Sequence, residues 1–191
     1  MNRILLAVAA VALAGPALAQ TAPVQVGQAA APSVSAASSA PAKMDDATFV
    51  SMAAMSNLAE IHMGEIALQK AQNEEVRKHA RLMIDDHKKA QAQLQQATNL
   101  PMPTEIDAKH KQMADKLSAA SGADFDRLYA EMQADAHEQA IQLHTAQVER
   151  GTNGDLKRLA SELLPKLREH LTITQTLAKS VGAKVAPSKA S

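Results

Sequence analysis

Four long stretches of this chain repeat apolar residues every three or four positions, and each ends at residues that stop a helix. They cover about 46–71, 73–98, 123–150 and 155–181. This spacing places the apolar side chains on one face of an α-helix, and such a face has to be buried against other helices. The pattern therefore predicts an all-α fold, a four-helix bundle.

The connections between the stretches predict how the helices are ordered. The first and last turns are short, which favours two antiparallel helix pairs. Between the second and third helices, a shorter amphipathic piece begins at Thr104 and Glu105 and closes at 118–122. A connection of this length can cross the full height of a bundle. We therefore expect a ferritin-like four-helix bundle with a short extra helix in the crossover, and a local kink or break at Pro165 in the fourth helix.

The two ends of the chain differ in composition from the helical part. Residues 1–19 have a short basic start, an apolar run and a small-residue cleavage site, which predicts a signal peptide cut after Ala19. Residues 20–44 and 182–191 are rich in Ala, Pro, Ser and Val, which predicts a disordered linker and a disordered tail around a domain at 45–181. No later run is apolar enough for a membrane anchor. We expect a periplasmic protein, with secretion as the alternative.

Composition removes several classes of function. The chain has no cysteine, which excludes disulfides and thiolate ligands, and its 20 basic residues are balanced by 20 acidic ones. Phe49, Phe125 and Tyr129 are its only aromatic residues, so nucleic-acid binding is not expected. No nucleophile motif and no glycine-rich phosphate loop is present, so we do not expect an enzyme.

Several short segments together resemble one known family. The residues are Phe49-Val50 and Ala59-Glu60 in the first helix, Met83-Ile84-Asp85-Asp86-His87 in the second, Ser121 to Asp126 before the third, and Leu164 to Leu171 in the fourth. They resemble the exported bacterial domain-of-unknown-function family 4142 over 45–178. The resemblance implies an export signal and a ferritin-like fold, without an established activity. The family usually has a second Asp-His pair in the third helix, but here Ala136 precedes His137.

Four polar residues lie near the midpoints of the four helices, one in each: Glu60, His87, His137 and His170. The midpoints of packed helices of similar length lie at one level of a bundle, whether the helices run parallel or antiparallel. Glu60, His87 and His170 fall within their apolar faces, whereas His137 is about 120° from the apolar face read for its helix. We therefore expect the first three to point inward and His137 to lie at a seam.

Three interpretations of this level remain open. One is a mononuclear zinc or copper site built from Glu60, His87 and His170, with His137 as a weaker candidate. A di-iron centre is not expected, because Ile84 and Leu167 stand where the Glu of a Glu-x-x-His motif would be. Another interpretation is a buried hydrogen-bond network that needs no metal and pairs Glu60 or Asp86 with the histidines. A separate alternative without metal is a layer that responds to pH, because histidine titrates near neutral pH.

Two methionines add a copper-specific option. In the crossover topology, Met63 and Met83 lie on the same side of the histidine level, and thioether with imidazole ligands favours copper. Methionine is also a common core residue. The remaining histidines, His62, His79, His110 and His144, have polar neighbours and are expected at the surface.

Three functions are consistent with these features. The first is a non-enzymatic binding or envelope stress-related protein that needs no cofactor. The second is a periplasmic copper- or zinc-binding protein that uses the central cluster. The third is an interaction module that meets a cell-envelope protein or a second copy of itself.

Overall fold

The computed structural model describes residues 43–185, and every regular element in that range is an α-helix. The predicted signal peptide lies outside the described residues, as do the predicted linker up to residue 42 and the tail from residue 186. The helices are α1 (Asp46–Lys70), α2 (Glu74–Ala97), α3 (Ala108–Ala119), α4 (Gly122–Arg150) and α5 (Gly154–Val181). No helix within 43–185 has the length and apolarity needed to cross a lipid bilayer.

Helix starts are fixed by short polar side chains, as helix-capping chemistry requires. The carboxylate of Asp45 accepts a hydrogen bond from the Thr48 backbone N–H, and the side chain of Asn73 does the same for Glu75. Asn153 caps α5 through two backbone N–H groups. At the other end of α5, Gly182 adopts a left-handed conformation with φ of 71°, which glycine tolerates best.

Contacts between side chains establish the direction of each helix. Gln147 near the end of α4 reaches Asp46 at the start of α1, so these neighbours run antiparallel. In α2 and α4, His79 meets Tyr129 and His87 meets His137, so these two helices run parallel. The crossover through α3, which packs on α1 and α4, makes the parallel arrangement possible. The predicted ferritin-like topology is confirmed.

One detail of the predicted helices is wrong, and one of the two alternatives at Pro165 is excluded. The crossover helix begins at Ala108 rather than at 104–105, because the Asp107 carboxylate accepts a hydrogen bond from the His110 backbone N–H and caps it. The break considered at Pro165 is absent, since α5 is continuous from Gly154 to Val181, and the local kink there stays a prediction.

The core consists of two apolar ends and a middle in which polar side chains lie beside a smaller apolar cluster of α4 and α5. One end packs around Phe125 and Tyr129, and the other around Phe49 and Leu156. Between them lie buried polar side chains, which are unusual inside a bundle and need hydrogen-bond partners. They include Glu60, Gln133 and the histidines described below.

Candidate metal site

Three histidines from three helices meet in the polar middle of the bundle. They are His87 on α2, His137 on α4 and His170 on α5, and each is at most 4% exposed. Their ring centroids lie 5.3 to 5.8 Å apart. One ring nitrogen of each lies within 4.8 Å of the corresponding nitrogens of the other two. The three rings therefore form a compact cluster with their nitrogens turned toward one another.

Two of these rings have a tautomer that their partners determine. His137 Nδ1 lies 2.8 Å from the backbone oxygen of Gln133, which can only accept, so Nδ1 carries the hydrogen. His170 Nε2 lies 3.1 Å from Asp86 Oδ2 and likewise donates to the carboxylate. The nitrogens left over, His137 Nε2 and His170 Nδ1, are then unprotonated in the neutral rings.

These two unprotonated nitrogens face each other at 3.3 Å. Two lone pairs cannot make a hydrogen bond, so this distance needs a cation or a proton between the rings. Nitrogens bound to one tetrahedral metal at ~2.0–2.1 Å lie about 3.3 to 3.4 Å apart, which is the separation observed. The spacing therefore matches one edge of a tetrahedral metal coordination shell.

The third ring is oriented in the same way. His87 Nδ1 lies 3.0 Å from Asn57 Oδ1, and with the Asn57 amide in this orientation the ring donates there. Its other nitrogen, Nε2, is buried and has no hydrogen-bond partner among the described residues. An unsatisfied buried nitrogen is costly unless something binds it.

Burial keeps the histidines neutral, which is the form that binds metals. Burial, reinforced by charge on the neighbouring histidines, lowers the pKa of His87 well below its ordinary value. Burial also lowers the pKa of His137 to about 4. Although partial burial alone would raise it, hydrogen bonds from Lys89 and His170 hold the pKa of Asp86 below its ordinary value. Asp86 therefore accepts from His170 as a carboxylate.

A small cavity of about 40 Å³ borders the cluster and is lined by His87, His170, Asp86 and Asn57, among others. A space of this size holds one or two water molecules. Three protein ligands and a water complete a four-coordinate zinc shell.

The site differs from the predicted one in two residues. His137, expected at a seam, is buried at 1% exposure and belongs to the cluster. Glu60 is buried too, but it does not belong to the metal-ligand group, and its Oε2 accepts a hydrogen bond of 2.5 Å from Gln133 Nε2. The predicted His87 and His170 are both present. Met63 lines a separate cleft, Met83 is fully buried, and the copper role assigned to them stays a prediction.

Two other histidines were placed wrongly by the sequence. His79 is buried and joins Tyr129 at 3.0 Å and Thr174 at 2.8 Å, a closed network with both ring nitrogens satisfied. His144 is buried against Phe49, with its Nδ1 donating to the backbone oxygen of Ala140. The sequence does contain a signal for the burial of His79. It precedes the buried Met83 and His87 at four-residue steps, which places all three on one face of α2.

Comparison with known proteins adds the family and the fold. A model of the domain of unknown function DUF4142 matches residues 31–177 of this chain. The chain belongs to this family. The described helices place the DUF4142 chain among ferritin-like folds, as its similarity to a solved structure also indicates. That structure is of a DUF305 protein from Streptomyces coelicolor, described as secreted, which is 18% identical in sequence to this chain. The two structures superpose with a TM-score of 0.56, and the alignment covers 71% of this chain and 95% of the DUF305 chain. No curated protein matches the chain.

Proposed function

We propose that this DUF4142 chain is an exported protein that binds one divalent transition-metal ion through His87, His137 and His170. The observation that carries the proposal is the 3.3 Å approach of His137 Nε2 and His170 Nδ1, two nitrogens that their other partners leave without hydrogens. Zinc is the best match, because three neutral imidazoles and one water suit it. Copper(II) also binds imidazole and is the comparison ion.

The orienting hydrogen bonds support a metal rather than a plain network. Metal-bound histidines usually donate their other N–H to a carboxylate, an amide or a backbone carbonyl, which fixes the ring. Asp86, Asn57 and the Gln133 carbonyl occupy these positions here. In a network without metal, the inner nitrogens would be expected to pair with donors. We propose binding rather than catalysis, because the sequence contains none of the nucleophile or phosphate-loop motifs that are typical of enzymes.

The test is metal titration of the mature, untagged, metal-stripped protein by calorimetry. We expect one equivalent of zinc to bind with micromolar or tighter affinity and to raise the melting temperature. His87→Ala, His137→Ala and His170→Ala should each weaken binding at least 100-fold. X-ray absorption of the zinc complex should show about three imidazole nitrogens at ~2.0–2.1 Å.

The matched control is His62→Ala, which removes an exposed histidine from α1. It should leave zinc affinity unchanged. Glu60→Gln should also change zinc affinity by less than about threefold, since Glu60 belongs to no metal-ligand group. Absence of binding by the wild-type protein would instead favour the interpretation of the cluster as a structural network.

A further inference from the structure

A second, larger cavity lies away from the three histidines. It has a volume of about 340 Å³ and opens between α1, α3 and α4, and none of the three candidate metal ligands lines it. We call it the methionine cleft, after Met52, Met55, Met63, Met113 and Met132. Sites for small organic molecules usually have volumes of ~300–1,000 Å³ and a few polar groups in a largely apolar wall. The cleft has the size and composition of such a site.

The wall of the cleft is unusually rich in thioethers. Five of the nine methionines in the chain line it, and no aromatic residue does. Met52, at its edge, is 52% exposed, the one exposed large apolar side chain among residues 43–185. Methionine adapts to the shape of a ligand, and its sulfur packs well against aromatic rings. The wall therefore favours an aromatic ring, which the cleft itself lacks.

One buried acid also faces the cleft. Glu60 is only 2% exposed and lines the cavity wall. Gln133 donates to its Oε2, while Oε1 has no hydrogen-bond partner among the described residues. Burial, only partly offset by this hydrogen bond, raises the pKa of Glu60 to about 8. A buried carboxylate is costly unless a cation pairs with it, and no lysine or arginine within 43–185 bonds to Glu60.

The other charged groups at the cleft are mainly acidic or already paired. Asp107 and Asp135 stand with Lys109 and His110 around the opening. His110 and Asp107 bond to each other at 2.7 Å, and Asp135 makes no ion pair within the described part of the chain. Besides Asp107 and Asp135, which face one lysine and one histidine, Glu60 adds a third negative charge once it ionises against a bound cation. An anionic ligand would be repelled here, whereas a cation would be attracted.

We propose that the methionine cleft binds a small aromatic molecule carrying one protonated amine, with its ring among the methionines and its ammonium group on Glu60. The ring contributes apolar burial, and the ammonium group supplies the partner that Oε1 lacks. None of the three histidines lines this cleft, so the proposal does not require a bound metal. Ligand titrations are therefore made with a chelator present. Their outcome does not depend on whether the histidine cluster holds zinc.

The first experiment compares three probes of similar shape on the mature full-length protein. Calorimetry is carried out with 2-phenylethylamine, 2-phenylethanol and 3-phenylpropanoate at pH 7. We expect the amine to bind at least tenfold more tightly than the alcohol, and the acid to show no binding at 10 mM. Equal affinities of amine and alcohol would overturn the role of charge, and no amine binding at 10 mM would overturn the site.

The second measurement needs no variant, so it holds even if substitutions disturb folding. At pH 7 the free Glu60 carboxyl is largely protonated, because its pKa is about 8. Pairing with an ammonium group removes that proton. Amine titrations in two buffers with different ionisation enthalpies should therefore show release of close to one proton, whereas the alcohol should release none. Amine binding without proton release would contradict contact with Glu60.

The variants separate the acid from the apolar wall. Glu60→Gln should weaken the amine at least tenfold and leave the alcohol within threefold. Glu65→Gln, on an exposed position of the same helix, is the matched control and should change neither. Ala136→Leu, which adds apolar volume at the α4 wall, should weaken both ligands at least tenfold. Unchanged amine affinity in Glu60→Gln, or unchanged binding in Ala136→Leu, would contradict the proposal.

Discussion

Asp86 illustrates how a neighbouring residue can orient a proposed metal ligand. Its carboxylate lies 3.1 Å from His170 Nε2 and also bonds Lys89 at 3.0 Å, so it stays ionised and accepts the histidine hydrogen. This contact turns the lone pair of His170 Nδ1 toward His137. It also increases the electron density of the ring, which strengthens a bond to a cation.

Replacing this carboxylate should weaken the metal site without removing a ligand. We expect Asp86→Asn to lower zinc affinity about 10- to 100-fold, because an amide is a weaker acceptor and fixes the tautomer less firmly. The neighbouring Asp85 is exposed, so Asp85→Asn is the matched control. Competition titrations with a zinc chelator measure both. Equal affinities for the two variants would contradict an orienting role for Asp86.

Single residues in α4 were the hardest to predict from the sequence. The apolar repeat of α4 includes Ala136 and Leu143, which are only half-buried. Gln133, His137 and Gln147 lie outside this repeat and are almost completely buried. Hydrophobic periodicity assigns polar residues to the surface, so a face built from them is read in the wrong orientation. This explains the wrong placement of His137. Glu60, His87 and His170 were correctly expected to point inward because apolar residues flank them.

At the scale of elements, α1 and α2 approach each other closely at a glycine. A Cβ built on Gly64 would lie 2.7 Å from Ile84 Cγ1 and 3.3 Å from the Ala80 carbonyl oxygen. The first of these separations is too short for carbon atoms, so a side chain here would push the helices apart. The close approach of α1 and α2 at this level therefore requires a residue without a side chain at position 64.

We expect Gly64→Ala to lower the free energy of unfolding by about 1–2 kcal/mol, since overpacking outweighs the better helix propensity of alanine. Gly154→Ala is the control, because nothing lies within 4 Å of its added Cβ. It should be neutral or stabilising by up to ~1 kcal/mol. Urea denaturation measures both values. A Gly64→Ala protein as stable as Gly154→Ala would show that Ile84 moves aside at no cost.

The helices themselves were largely predictable, because their capping residues are local signals. Asp45 and Asn73, short polar residues directly before the first two apolar repeats, cap α1 and α2. The crossover helix starts later than expected, since Asp107 competes with Thr104 and Glu105 as a cap and a sequence alone does not rank them. The topology followed from connection lengths. The close approach at Gly64 could not be foreseen, because it depends on the partner helix.

At the scale of the whole molecule, five buried histidines connect stability to pH: His79, His87, His137, His144 and His170. Burial lowers the pKa of each in the folded protein, to about 3 for His79 and about 4 for His137. Unfolded histidine titrates near ~6.5. The unfolded chain therefore takes up more protons below that pH, so stability is full above about pH 6.5 and falls on acidification.

Glu60 acts in the opposite direction but does not outweigh the histidines. Because its pKa is raised to about 8 in the folded protein, its contribution to the free energy of unfolding is fully present below about pH 4.5. This contribution is lost as the pH rises through 8. One carboxyl opposes several histidines, so we expect the melting temperature of the metal-free protein to fall by roughly 10 °C or more between pH 7 and 5. Thermal unfolding by circular dichroism with chelator present measures this.

The control for this pH dependence is a pair of substitutions. His79→Gln should reduce the loss of stability between pH 7 and 5, because it removes one of the buried groups that titrate on unfolding. His62→Gln changes an exposed histidine and should leave the pH profile unchanged. A flat profile in the wild-type protein would mean that these histidines are protonated in the folded state.

The crossover helix gives the molecule a part that can open separately from the rest. α3 has 12 residues, buries only Ala114 and Leu117, and packs on α1 and α4. Its backbone amides should therefore exchange with solvent through local unfolding, at a lower free-energy cost than those of α1 or α4. Because α3 forms one side of the methionine cleft, the cleft can admit a molecule by detachment of a single helix. The cluster of His87, His137 and His170 lies on α2, α4 and α5, so detachment of α3 would leave it buried.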